Sequence, residues 1–370
     1  MKVLYSCLSK SWGGMEMFTI TAVKELLNRD IETELACIKD SPIHHEAIKN
    51  DIKTISIKSF NYFNPIQIIK FFKIIKHMNY SLIHTQYSKD LWLLVPALKI
   101  AKSKIPLFLT KQMGSFIIKK DYLHKKLYKR VTKIFAISNV IKKNLIETCP
   151  VDEDKIIILH NAVDTKKFSP ENGHRGKIRK EFQIAENEIV IGMLARFTPG
   201  KGHEEFLFAA SELNKKYDNL KFMIVGDPSR DEDNYGLKIK KLAGTYKLGD
   251  KIIFTGFRTD TVDILSSMDI FAFPSHSEAF GIALVEAMSM SLPSVCSNSD
   301  GILDIAINGE TSLLFENRNA FDLKEKLEIL IQKQDMRKEL GYNARQRAIQ
   351  YFDLKFLSDK VIEYYKKFHN

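Results

Sequence analysis

Short β-rich runs alternate with helix-length stretches along nearly the whole chain, and this alternation restricts the possible folds more than any other feature. In the first half, KVLYS (2–6), TELACI (33–38), SLIHT (81–85), IPLFLT (105–110) and KIFAIS (133–138) read as strands, and residues 16–29 carry apolar side chains at helical spacing. The second half repeats the scheme with EIVIGML (188–194), LKFMIVG (220–226), KIIFTG (251–256), DIFAFPS (269–275), LPSVCS (292–297) and TSLLF (311–315). Strands separated by helices form βαβ units and a parallel sheet. A length of 370 residues suits two such domains better than one. The expected fold class is therefore α/β: two Rossmann-like, doubly wound parallel-sheet domains facing each other across a cleft. The polar stretch TKKFSPENGHRGKIRKEF (165–182) is read as a linker between a first domain, 1–164, and a second, 183–350. In sheets of this kind ligands bind beyond the carboxyl ends of the strands, so the loops there are where functional residues are sought.

Composition narrows the class further. No run approaches the ~18 consecutive apolar residues of a membrane-spanning helix, and the opening MKVLYSCLSKSWGG lacks a long apolar signal segment, so a cytoplasmic protein is expected. The four cysteines show no CxxC spacing and no neighbouring histidine cluster, which argues for buried thiols and against a zinc site or disulfide framework. A formal net charge of +11 implies an anionic partner: nucleic acid, lipid headgroups or a phosphorylated substrate. The excess sits largely in residues 102–143, where many lysines and Arg130 face one acid, Asp121.

Two strand-end segments carry the chemistry. ARFTPGKG (195–202) follows the strand ending near Leu194 and sets Arg196 and Lys201 in a loop leading to a helix near His203. A guanidinium and an ammonium near a helix start suit a diphosphate, because all three favour negative charge; a solvated turn with incidental basic residues is the alternative. SHSEAFGIALVEAM (275–288) follows DIFAFPS and places Glu278 in a loop, a helix start at Gly281, and Glu286 more than a turn into that helix. Amides near Gly281, Ile282 and Ala283 would be open to an anion. Carboxylates beside a phosphate site would repel it, so both glutamates are expected to face neutral hydroxyls, such as a vicinal diol.

At these residues the sequence resembles the retaining glycosyltransferases of family four, of GT-B architecture. SEAFGIALVEAMSMSLPSV is similar to the family's E-x7-E element, WGGMEMF (12–18) to its glycine-rich first loop, LHNAVDTKKFSP (159–170) to its N-G-V-D segment, ARFTPGKGHEEFL to its phosphate loop and IIFTGF (252–257) to the strand near the nucleotide base. The resemblance implies a metal-independent hexosyl- or other glycosyltransferase of bacterial lipopolysaccharide or surface-polysaccharide synthesis, taking a nucleotide-sugar donor, a UDP-sugar, to a glycan or lipid-linked acceptor. It implies that Arg196 and Lys201 hold the diphosphate, that Glu286 binds the ribose, and that Glu278 with Phe280, Gly281, Ile282 and Ala283 contacts the donor sugar and phosphates. Gly14 would let the first loop approach the diphosphate closely. Gly13, Glu16, His84 and Gln112 would lie towards the acceptor, with Gln112 or Lys111 standing where the family often has a histidine. A histidine-dependent step is thereby put in question, since an amide cannot shuttle a proton. For His84 a core position at a strand end is the competing reading. No cofactor and no metal is expected, and no nucleic-acid partner. The last segment, 351–370, would return to the first domain as a helix, as in GT-B relatives.

The lysine-rich segment admits two readings. Leu123, Leu127 and Val131 share a helix face, with Lys125, Lys126, Lys129 and Arg130 elsewhere, preceded by Phe116, Ile117, Lys119 and Lys120. The segment is either an ordinary helix with a solvated lysine face or a patch in peripheral contact with an anionic inner-membrane surface. A GT-B sugar-nucleotide epimerase and a basic nucleic-acid or scaffold protein are the alternative functions. The first would need acids and histidines for proton transfer, and the second leaves Glu278 and Glu286 unexplained.

Overall fold

The computed structural model describes residues 1–58, 64–228 and 232–368. The chain divides into two compact units, Met1–His160 with Lys355–Asn370, and Asn161–Leu354.

The first unit holds β1 (Lys2–Cys7), β2 (Glu32–Ile38), β3 (Thr54–Ile57), β4 (Leu82–Thr85), β5 (Leu107–Lys111), β6 (Lys133–Ala136) and β7 (Ile156–Ile158). They form one parallel sheet in the order β3-β2-β1-β4-β5-β6-β7. Two of these strands, β3 and β7, at the two edges of the sheet, have no counterpart in the sequence reading. The second unit holds β8 (Ile189–Leu194), β9 (Leu220–Val225), β10 (Ile252–Gly256), β11 (Ile270–Phe273), β12 (Ser294–Ser297) and β13 (Ser312–Phe315), again parallel, in the order β10-β9-β8-β11-β12-β13. The central strands are buried along their length, as strands covered by helices on both faces must be.

Each strand order reverses beside the unit's first strand, between β1 and β4 and between β8 and β11. In such sheets ligands bind outside the carboxyl ends of the strands at the switch point.

The helix Leu354–Phe368 packs into the first unit. The Tyr365 ring lies 5.2 Å from that of Phe108, its hydroxyl bonds His84 Nδ1, and Arg29 donates to the Lys355 carbonyl at 3.0 Å and to Asp359. The last two residues of the expected 351–370 segment lie outside the described residues.

The stretch expected as a linker, 165–182, lies inside the second unit and contains a single 3-10 turn, Pro170–Asn172, and a helix, Arg175–Glu181. The segment is polar in composition, yet Arg179 is fully buried and donates to Asp269 Oδ2 at 2.8 Å and to the carbonyls of Ala185 and Glu188. Arg175 holds the other oxygen of Asp269 at 2.8 Å. Both terminal nitrogens of the Arg179 guanidinium are held by carbonyls and a carboxylate, which offsets much of the cost of burying it and which composition alone does not reveal. The four cysteines are all buried thiols, and burial pushes Cys37 and Cys296 up to about 12.

Candidate functional site

In the second unit the loops after β8 and β11 leave the switch point side by side and are pinned together. The His276 amide donates to the Gly200 carbonyl at 2.8 Å, and Lys201 Nζ donates to Glu278 Oε1 at 2.5 Å. Gly202 makes the approach possible: it sits at φ +79°, and a Cβ there would fall 2.1 Å from the Pro274 carbonyl oxygen. Ser275 Oγ donates to the same Glu278 oxygen at 2.8 Å, and the Glu278 carbonyl accepts from the Gly301 amide at 3.0 Å. The carboxylate that both loops share is therefore fixed from two sides. Ser275 is a positioning residue that sequence reasoning missed; a serine three residues before a loop glutamate is the signal that was there to find.

This pairing corrects the expectation that Glu278 faces only neutral hydroxyls. Its counter-charge is Lys201, and both side chains are largely buried. Glu286 is different. It lies within the helix Ile282–Ser289, and its carboxylate has no ion pair or hydrogen bond among the described residues. Although it keeps some exposed surface, burial pushes its pKa up to about 7 against the opposing charge of Lys167.

The helix bearing Glu286 starts at Gly281, in the left-handed region at φ +112°, where a side chain would be strained. It has no side-chain cap and no acid in its first turn. The first amides of any helix lack intrahelical acceptors, so those of Ile282 and Ala283 can meet an anion. The helix His203–Asn214, expected to serve the same purpose, does not offer a bare N-terminus: Glu204 and Glu205 occupy its first turn. Tyr235 and Lys238 hold Glu204 at 2.6 and 3.2 Å, and His276 holds Glu205 at 2.7 Å. Acids already complement that dipole, so an anion has more to gain at Ile282. Arg196 is exposed in the loop after β8. Beside that loop a cavity of about 310 Å³ opens beyond β8, β9 and β10, lined by Phe197, Gly226, Asp227, Phe254 and Gly256.

In the first unit, Gly13 and Gly14 lie where the loop after β1 enters the helix Gly14–Leu27. A Cβ on Gly14 would meet open space, so nothing within the fold demands glycine there. Glu16 is buried in the first turn. His84, on β4, is a core residue, which corrects its expected place towards the acceptor. Its Nε2 bonds Thr110 Oγ1 at 2.7 Å, Nδ1 bonds Tyr365, and Tyr5, Phe108 and Phe135 surround the ring. Burial holds its pKa down at about 3. Gln112 is buried just after β5 and donates to Gln86 at 2.8 Å.

Beside the β1–β4 switch point sits Asp90, a buried acid that sequence reasoning missed. It accepts from Ser6 Oγ at 2.5 Å, Thr85 Oγ1 at 3.0 Å and the Leu8 amide at 3.2 Å, tying together the ends of both strands. Burial pushes it up to about 7.

The lysine-rich segment splits in two. Phe116, Ile117 and Ile118 are exposed, as are Lys120, Lys125, Lys126 and Lys129, with Lys119 partly so. Leu123, read on one helix face with Leu127, is exposed and widens the apolar area. Arg130 does not belong to this surface, because its guanidinium donates inward to the carbonyls of Ser103 and Ile105 at 3.1 and 2.7 Å. Among the described residues no helix is long and apolar enough to cross a membrane.

The family model for glycosyl transferases group 1 matches residues 174–347, and the model for glycosyltransferase family 4 matches residues 12–167. The capsular polysaccharide biosynthesis glycosyltransferase CapM of Staphylococcus aureus is 26% identical over 246 residues, 64% of this chain, which spans 62% of that relative. The UDP-Gal:alpha-D-GlcNAc-diphosphoundecaprenol alpha-1,3-galactosyltransferase of Escherichia coli is 24% identical over 98% of this chain and 96% of its own length. Among solved structures, a glycosyltransferase from Rickettsia africae ESF-5 superposes with a TM-score of 0.90 at 27% identity, covering 99% of this chain and 98% of that one.

Proposed function

The chain belongs to the group 1, family four glycosyltransferases, and from that premise we propose that it transfers a sugar from a UDP-sugar to a lipid-linked or glycan acceptor of a bacterial surface polysaccharide, with retention of configuration. The observation that carries the donor assignment is the pinned pair of loops at the β8–β11 switch point, which holds Lys201 against Glu278 in the loop that leads into the uncapped helix Ile282–Ser289.

In this reading the diphosphate lies against the Ile282 and Ala283 amides and takes Lys201 and Arg196 as cations. Glu286 accepts from the ribose hydroxyls, and the cavity at Gly226 and Gly256 takes the base. Glu278, held by Lys201 and Ser275, presents its remaining oxygen to the donor sugar. The bond from the anomeric carbon to the diphosphate oxygen breaks, and the acceptor oxygen bonds that carbon from the same face. The acceptor's proton passes to the departing diphosphate. Fixed cations stabilise the negative charge that develops there, the role a divalent ion plays in other transferases.

Thermal melting with UDP, GDP and ADP, with and without EDTA, tests the donor half. UDP is expected to raise the melting temperature most, EDTA to change nothing, and release of UDP from a panel of UDP-sugars to require membrane extract as acceptor. Stabilisation by any polyanion alike, abolished by salt, would return the chain to the basic scaffold reading.

The apolar and basic surface of Phe116–Ile118 with Lys119, Lys120, Lys125 and Lys126 supports contact with an anionic bilayer. Each lysine near such a surface is worth about 1 kcal/mol, so replacing Lys125 and Lys126 together by alanine is expected to weaken vesicle binding by tens-fold. Flotation with phosphatidylglycerol vesicles at low salt measures this; unchanged binding would leave the segment an ordinary solvated helix.

A further inference from the structure

A second cavity, about 520 Å³, opens in the first unit beyond β4 and β5, within the usual range for small-molecule sites. None of the residues lining it is acidic, whereas Lys89, Lys111 and Lys119 all contribute. Lys111 is the unusual member. It ends β5, its side chain is buried, and its ammonium makes a single hydrogen bond, a long one of 3.4 Å to Ser88 Oγ. No carboxylate pairs with it among the described residues. A buried ammonium is costly unless compensated, and in a chain that pairs Arg179 and Lys201 with acids its isolation needs a reason.

At the cavity's rim stand Phe116 and Ile117, which are exposed although apolar. A cationic interior with an apolar rim matches an amphiphile whose head is a polyanion and whose tail is a hydrocarbon. We propose that this cavity binds the diphosphate of a polyprenyl-diphosphate-linked acceptor, anchored by Lys111 with Lys119 and with the chain leaving past Phe116 and Ile117. The proposal rests on the glycosyltransferase reading above for the word acceptor, but the diphosphate site stands on the cavity's own residues. Burial and the neighbouring charge of Lys119 lower the Lys111 pKa to about 8, as follows when an ammonium lacks its anion. An anion beside it would reverse that shift.

The site is tested by calorimetry on the full chain with UDP saturating, so that the donor loops are filled. Farnesyl diphosphate is expected to bind tens-fold more weakly to Lys111→Met than to wild type, with Lys111→Arg retaining most of the affinity. Farnesyl alcohol should not distinguish the variants, and inorganic diphosphate should bind wild type more weakly than farnesyl diphosphate does. Equal affinity of wild type and Lys111→Met for farnesyl diphosphate overturns the proposal. So does a Lys111 dependence seen with phosphatidylglycerol vesicles and absent with the soluble diphosphate, which would assign the cation to bilayer headgroups. Lys111→Met should melt no lower than wild type, since it removes an uncompensated charge; a lower melting temperature in both Lys111→Met and Lys111→Gln would make Lys111 a structural residue and overturn the assignment. In turnover, Lys111→Met should raise KM for a diphosphate-linked sugar and leave KM unchanged for the same sugar on a neutral alkyl chain. If wild type transfers no sugar from any nucleotide donor, the glycosyltransferase reading of the acceptor fails, while the binding measurements still decide the diphosphate site.

Discussion

Alanine at Lys201 is expected to lower turnover several hundred-fold while the second unit stays folded. Removing one preorganised donor from a developing anion costs ~3–4 kcal/mol of transition-state stabilisation, and each ~1.4 kcal/mol is tenfold in rate. The competing account makes Lys201 only the counter-ion of Glu278, which it contacts at 2.5 Å. Magnitudes separate the two. A partly buried ion pair at a loop is worth about 1 kcal/mol, far less than the expected kinetic loss. Glu278→Gln in the Lys201→Ala background removes the stranded carboxylate, so it should restore stability and leave turnover low. Recovery of both would make the lysine structural. Arg196→Ala should lose turnover comparably without a change in melting temperature, because Arg196 is exposed in its loop. Steady-state release of nucleoside diphosphate measures all four proteins, and near-normal rates in Lys201→Ala or Arg196→Ala would sink the donor assignment.

The alternation of strand and helix was legible because buried parallel strands are continuous apolar runs; the edge strands β3 and β7 were not, because they are short and also only partly buried, with one buried position each. The helix start at Gly281 was legible for a local reason, since a glycine after a strand and before an apolar run punctuates the chain. What failed was pairing. Glu278 meets Lys201 across 77 residues, His84 meets Tyr365 across 281, and Arg179 meets Asp269 across 90. Each partner is chosen by the fold and not by neighbours in sequence, so a polar residue's destination could be named only by analogy. The same limit explains the linker, where a polar stretch destined in part for buried carbonyls resembled one destined for water.

At Glu286 the expected result is a hundred-fold loss of UDP-sugar affinity in Glu286→Gln at pH 8, with a change in the shape of the pH profile. A carboxylate accepting from two vicinal hydroxyls makes charge-assisted bonds of about 1.5–3 kcal/mol each, and the amide retains part of that. The sign of the pH effect follows from burial. The unfolded chain ionises this acid near its ordinary value, 4.5, whereas the folded chain holds the proton to about 7. Glu286 therefore costs the fold stability as pH rises through that window, and Glu286→Gln should melt higher than wild type at pH 8. Ribose hydroxyls repay the cost by donating to the ionised form, so wild-type affinity should rise from pH 6 to pH 8 and that of Glu286→Gln should stay level. A nucleotide sugar is the right probe, because the terminal phosphate of UDP titrates in the same interval and its diester does not. A donor lacking the 2′ and 3′ hydroxyls should bind wild type as weakly as the variant binds the full donor. If instead the deoxy donor and the full donor bind wild type alike, Glu286 is not the ribose ligand, and its isolated, destabilising carboxyl must serve a different part of the donor.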